Sequence, residues 1–123
     1  MTTGWNGRFD NAAKDGGAVM YSFNEALLDY DCFAIPKGAP NLDVAMEFLA
    51  EISKPEYQDD LPKYITYGPT NKLAYDTGEI TDEVAAGLPS SPENAAMQLP
   101  ISLEWYAEWE TIAAEMYAEM LTE

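Results

Sequence analysis

The sequence predicts a helix-rich α/β fold, and three observations carry that reading. Asn41 can cap an amphipathic helix through residue 52, with Ala45, Phe48, Leu49 and Ile52 on one face and Asp43, Glu47 and Glu51 on the other. A longer stretch from residue 101 to about 121 places Trp105, Trp109, Ile112, Met116 and Met120 at helical spacing. Short β-prone runs lie at residues 18–23 after Gly16-Gly17, at 31–35 ended by Pro36, and at 64–67.

The remaining elements follow from local punctuation. Pro55 suits the first turn of a helix, and Pro62 ends it before the run at 64–67. Thr70 can cap a short helix over 71–76 and Thr81 another over 82–86, after which Pro89, Ser90, Ser91 and Pro92 mark a loop. In the last helix Glu104, Glu108, Glu115 and Glu119 have no lysine partner, so packing of the apolar stripe has to hold it.

Composition narrows the function. At 123 residues, 47% of them hydrophobic and 23% charged, the chain is long enough to order one compact unit. Twenty-two acids against six bases give a net charge of -16, which opposes binding to phosphate backbones and anionic lipid. The six bases all lie in residues 1–72 beside eleven acids, whereas residues 73–123 hold eleven acids alone. That second half is a solvated anionic face or a dock for a cationic partner.

Histidine is absent and Cys32 is the single cysteine, which excludes His-based catalysis, the usual zinc sites and an internal disulfide; no cofactor is implied. No stretch approaches the ~18 apolar residues that cross a bilayer, and the first residues lack an export-signal pattern.

Asp29 and Asp31 flank Tyr30, and alternate residues of an extended segment face one way, so the two carboxylates can meet one cation. A calcium loop does not fit, because Cys32, Phe33, Ala34 and Ile35 follow where oxygen ligands and a glycine belong. Trp5, Tyr21, Tyr30, Tyr64 and Tyr67 lie near turns, where a ring face can be core or can receive an ammonium group. A hydrolase built on the acid pair lacks a supporting nucleophile motif.

The ordered series Trp5-Asn6-Gly7-Arg8, then residues 31–41 (DCFAIPKGAPN), then Ala45-Met46-Glu47-Phe48-Leu49, then residues 65–71 (ITYGPTN) resembles the C-terminal third of the periplasmic spermidine/putrescine-binding proteins of ABC importers. The resemblance covers nearly the whole chain and is weakest after Ser90. It implies the helix-rich C-terminal portion of a type II periplasmic-binding-protein fold, with both lobes incomplete. Residues 1–28 would end one lobe, 29–80 would belong to the other beyond a hinge near 29–31, and 81–123 would return. Such receptors are about three times this length, so the expectation is a fragment of a periplasmic parent.

The resemblance implies a binding protein and not an enzyme, with no catalytic residue or metal, recognising a polyamine or related small organic amine for delivery to a permease. It carries ligand contact onto Trp5, Asp31 and Tyr67, and onto Gln98 through a looser match. Asp29 stands where the polyamine binders commonly carry tryptophan, a lost ring and a gained charge that make it a further candidate contact. Arg8, beside Trp5, can pair with a ligand carboxylate, which favours a zwitterionic amine. Because both lobes would be incomplete, the apolar faces of the two long helices imply self-association. The alternative is a self-sufficient acidic module that docks a basic protein.

Overall fold

The computed structural model describes residues 2–122, a helix-rich chain with one small parallel sheet. Helix α1 spans Asn6–Lys14 and follows Trp5, whose extended backbone starts it. Its end is a glycine-bearing reverse turn: Gly16, at φ +89°, donates its N–H to the Ala13 carbonyl, and Gly17 donates to Ala12 at 2.8 Å. Those two bonds satisfy carbonyls that a helix terminus otherwise leaves open.

Residues 18–23 form no strand; this corrects the β reading there, and the segment instead packs aromatic rings onto α1. Tyr21 stacks on Phe9 at 6.2 Å between centroids and meets Phe23 edge-on at 5.5 Å. The sheet is β1 (Leu27–Leu28) beside β2 (Leu99–Pro100), with Leu27 opposite Leu99 and Leu28 opposite Pro100. Three flanking backbone bonds extend the pairing, from Glu25 to Met97, Leu99 to Ala26 and Ile101 to Leu28. The runs at 31–35 and 64–67 are likewise not strands: neither is paired in the sheet, and a strand needs a partner for its backbone groups.

Helix α2 (Leu42–Ile52) forms where its periodicity places it, although Asn41 makes no side-chain cap bond. Ala45, Leu49 and Ile52 are half-buried, whereas Phe48 of the same predicted face is exposed. Pro55 begins α3 (Pro55–Gln58), and a 3₁₀ turn over Leu61–Lys63 carries Pro62 in its first turn. A second 3₁₀ turn, Lys72–Asp76, is capped by Asn71 and not by Thr70. Thr81 caps α4 (Asp82–Ala85) by accepting the Val84 N–H. The loop at 89–92 is shorter than expected, because Ser91 caps α5 (Pro92–Met97) and Pro92 takes its first position.

The buried core lies between these last elements: Ala74 and Leu88 are fully buried, Ile80 nearly so, and Tyr75 and Ala85 pack against them. Asn94 is buried with them and donates its side-chain N–H groups to the Ala86 and Leu88 carbonyls, both at 2.9 Å. Helix α6 (Leu103–Met120) starts at Ser102, whose hydroxyl accepts the Trp105 N–H. Along it Trp105, Trp109, Ile112, Met116 and Met120 remain exposed, as do Leu42, Val44, Met46 and Phe48 on α2. No helix of the described residues is long and apolar enough to cross a membrane.

Leu88 is the largest fully buried aliphatic side chain among the described residues, so Leu88→Ala is expected to cost about 2–5 kcal/mol. Urea unfolding of the chain reads this directly. A loss below about 1 kcal/mol would show that this cluster is not the core that holds the second half together.

Candidate functional site

The site is built where α1 meets the segment before Asn71. Trp5 is 57% exposed at the start of α1, and its carbonyl accepts the N–H groups of Arg8 and Phe9. One turn on, Gly7 is buried against the ring of Tyr67: a Cβ on Gly7 would lie 2.8 Å from Tyr67 Cε1 and 3.2 Å from Cζ. Only a residue without a side chain lets the ring approach that closely. Asn6 donates its side-chain N–H to the Thr66 carbonyl, and the Thr66 hydroxyl donates to the Asp10 carboxylate. Three successive positions of α1's inner face, 6, 7 and 10, therefore clamp residues 66 and 67.

Electrostatics reinforce the clamp. Lys14 pairs with Asp10 at 2.7 Å, and hydrogen bonds from Lys14 first and Thr66 second hold the Asp10 carboxyl below the ordinary carboxylate range. A carboxyl whose pKa is lowered on folding stabilises the fold above its ordinary value, and that contribution is lost as pH falls through the lowered one. Beside it, burial and then the Asp10 charge push the Tyr21 hydroxyl up.

The far side of Tyr67 is held from α3. Gln58 Oε1 accepts the Thr70 and Asn71 N–H groups at 2.9 and 2.8 Å, and Asn71 donates its amide to the Ser53 carbonyl at 2.8 Å. Ser90 donates to the Pro69 carbonyl at 2.6 Å and meets the Tyr75 hydroxyl at 2.9 Å. The loop at 67–71 is thus fixed from both ends, so Tyr67 is presented by a rigid frame.

The predicted contacts fall into three places. Tyr67 packs on Gly7 in the first turn of α1, the helix that Trp5 precedes. Asp29 and Asp31 are exposed in the coil just after β1; Asp29 Oδ1 accepts the Tyr30 N–H at 2.8 Å, and Asp31 borders a shallow recess of about 120 Å³ with Cys32 and Phe33. Among the described residues neither carboxylate is paired with Lys or Arg.

Gln98 is buried just before β2, and its side-chain nitrogen donates to the Pro89 carbonyl at 2.7 Å and the Asn94 carbonyl at 3.0 Å. Both of its N–H donors are thereby committed to the fold. The other aromatic candidates divide likewise: Tyr21 is packed into the stack with Phe9, whereas Tyr30 and Tyr64 are exposed. No group of three or more acidic or thiol side chains suits a metal ion among the described residues.

Sequence reasoning missed Asn6, Gly7 and Asp10 as positioning residues. The signal was present: a glycine two places after the candidate tryptophan, flanked by Asn6 and Arg8, is a poor choice for a first helical turn unless something must approach it.

Comparison with known proteins bears on the family and the fold. Residues 1–88 match the family described as bacterial extracellular solute-binding protein. A γ-aminobutyric acid-binding protein of Pseudomonas aeruginosa is 30% identical over 110 residues, which are 88% of this chain and 30% of that protein. An ABC transporter substrate-binding protein from Bradyrhizobium japonicum USDA 110 superposes with a TM-score of 0.84 at 41% identity, over 97% of this chain and 37% of that one. A periplasmic binding protein from A. tumefaciens B6, solved in complex with glucopine, gives 0.80 at 44% identity, over 92% of this chain and 35% of that one. The chain spans about a third of the length of these relatives. The helix-rich α/β arrangement is part of a periplasmic-binding-protein fold.

Asp10→Asn removes the charge that titrates at the clamp. Urea unfolding between about pH 2 and 4 is expected to show a flatter decline of stability with acid than the parent chain shows. An unchanged acid limb would mean that Asp10 is as free in the folded chain as in the unfolded one. Gly7→Ala, which forces the Tyr67 ring away, is expected to cost about 1–3 kcal/mol. A neutral Gly7→Ala would contradict the close contact.

Proposed function

We propose, because this chain belongs to the bacterial extracellular solute-binding protein family, that it lines the solute site of an ABC importer's receptor. The family binds solutes and is not one of enzymes. The ligand is a small organic amine that also carries an acidic group, delivered in the periplasm to a membrane permease.

Arg8 is the observation that carries this reading. It lies one turn from Trp5 and is exposed, and among the described residues no carboxylate lies within ion-pair reach of it. Lys14, Lys54 and Lys63 find acidic partners, whereas Lys37 and Lys72, like Arg8, form no ion pair among the described residues, and of these unpaired cations Arg8 is the one that adjoins Trp5. A guanidinium left open beside an exposed tryptophan suits a carboxylate brought by the ligand, as a bidentate pair. The amine end then meets the rings of Trp5 and Tyr67, closure of the lobes brings the carboxylates of Asp29 and Asp31 to it, and excluding water strengthens each of these contacts. Gln98, with its amide nitrogen on the Pro89 and Asn94 carbonyls, braces the α5 turn.

What the relatives are named for supports the acid-bearing amine, since γ-aminobutyric acid joins an amine to a carboxylic acid. Spermidine or putrescine is the narrower reading; it brings no acid and leaves Arg8 without a role.

The lobe division is part of the same proposal. Residues 1–28 and 81–123 belong to one lobe and 29–80 to the other, with the hinge at 29–31 directly after β1. The clamp of α1 on Thr66 and Tyr67 then joins the two segments, and ligand that bridges Trp5 and Tyr67 favours the same closed state.

Calorimetry on the full-length receptor is expected to show tighter binding of an ω-amino acid than of putrescine. Arg8→Gln should weaken the amino acid by about 1.5–3 kcal/mol and leave the diamine unchanged. Asp31→Asn should weaken both. Equal affinities in the parent and in Asp31→Asn, or a preference for putrescine, would overturn the reading. For this chain by itself, the exposed apolar faces of α2 and α6 are expected to drive self-association in light scattering. A monomer at every concentration would contradict that.

A further inference from the structure

Asp59 stands apart from the solute site. It is 5% exposed at the end of α3, and among the described residues its carboxylate accepts no hydrogen bond and pairs with no cation. Its oxygens are nonetheless not sealed, because no side-chain oxygen or nitrogen of the described residues is both fully buried and unpartnered. They open onto a recess of about 80 Å³ lined by Asp59, Pro62, Lys63, Glu79, Ile80 and Val84. Water in that recess is therefore what the carboxylate meets, and a ligand that brings N–H donors can replace it.

Lys63 does not serve as that partner. Its ammonium is drawn to the rim, 2.6 Å from Asp60 and 3.4 Å from Glu79, and those bonds raise its pKa. The recess therefore keeps a fixed negative group at its base, with Pro62, Ile80 and Val84 as apolar walls.

We infer that this recess binds a small primary alkylammonium ion at Asp59. Its size excludes a polyamine or an opine, since drug-sized ligands occupy about 300 Å³ or more, yet it exceeds the room needed for a single water. Divalent metal is disfavoured, because no cluster of three acidic ligands exists there. The N–H groups of an ammonium supply the hydrogen bonds that Asp59 lacks, and its alkyl end packs on Ile80 and Val84. This site is independent of the Trp5 and Tyr67 region.

Methyl NMR of the chain tests it. Methylammonium is expected to shift the Ile80 and Val84 methyl signals saturably. Tetramethylammonium at the same ionic strength, which is larger and has no N–H donor, is expected not to. Asp59→Asn, nearly identical in shape, should abolish the shift, and Lys63→Met, which removes the competing positive charge from the wall, should tighten binding. Shifts that fail to saturate, that appear equally with tetramethylammonium, or that persist in Asp59→Asn would overturn the site, as would an unchanged affinity in Lys63→Met.

Discussion

The positioning of the candidate site depends on one close approach, that of the Tyr67 ring to the bare backbone of Gly7. It brings the head of α1 against the 66–67 segment, and the bonds from Asn6 and to Asp10 fix the angle at which the two meet. With that contact in place, Tyr67 is held two residues along α1 from Trp5, apart from the core, which lies farther along the chain around Ala74 and Leu88. Rigidity around Tyr67 comes from backbone groups captured by Gln58 and Ser90, so the ring is held by polar bonds at a distance and by shape at close range.

Charge divides the labour differently from packing. Three of the lysines are tied into ion pairs with nearby acids, each partly exposed and of small energetic weight. Arg8 is the cation at the head of α1, and its freedom matters because it lies beside Trp5 in a strongly anionic chain. Asp29, Asp31 and Asp59 are the complementary case, carboxylates with no cation partner among the described residues. Two of them face solvent after β1, and the third is recessed behind α3.

Much of the helical fold was legible in the sequence. The α2 and α6 periodicities, Pro55 at a helix start and the Thr81 cap each act within one or two turns, so local chemistry decides them. Helix α1 was not legible, because Asn6, Gly7, Asp10 and Asn11 are weak helix formers and its stability comes from the clamp and the aromatic stack. The strands were missed for a related reason: two residues each, they pair across seventy positions of chain, and no local pattern announces such a partner. The β-prone runs lacked that partner and stayed coil. At the site, the motif series singled out Trp5 and Tyr67, and the glycine in the first turn of α1 was a local sign of a close approach, but the identity of the ring that makes it, sixty residues on, was not local information. Gln98 was singled out by the same resemblance, and the commitment of its amide to Pro89 and Asn94 depends on the α5 turn.

A crystal structure of the full-length receptor with an ω-amino acid bound is the most direct measurement. The ligand nitrogen should lie within about 6 Å of the Trp5 and Tyr67 ring centroids, with its carboxylate on Arg8. A ligand seated elsewhere, with Arg8 open to solvent and the two rings turned away from it, would contradict the central claim.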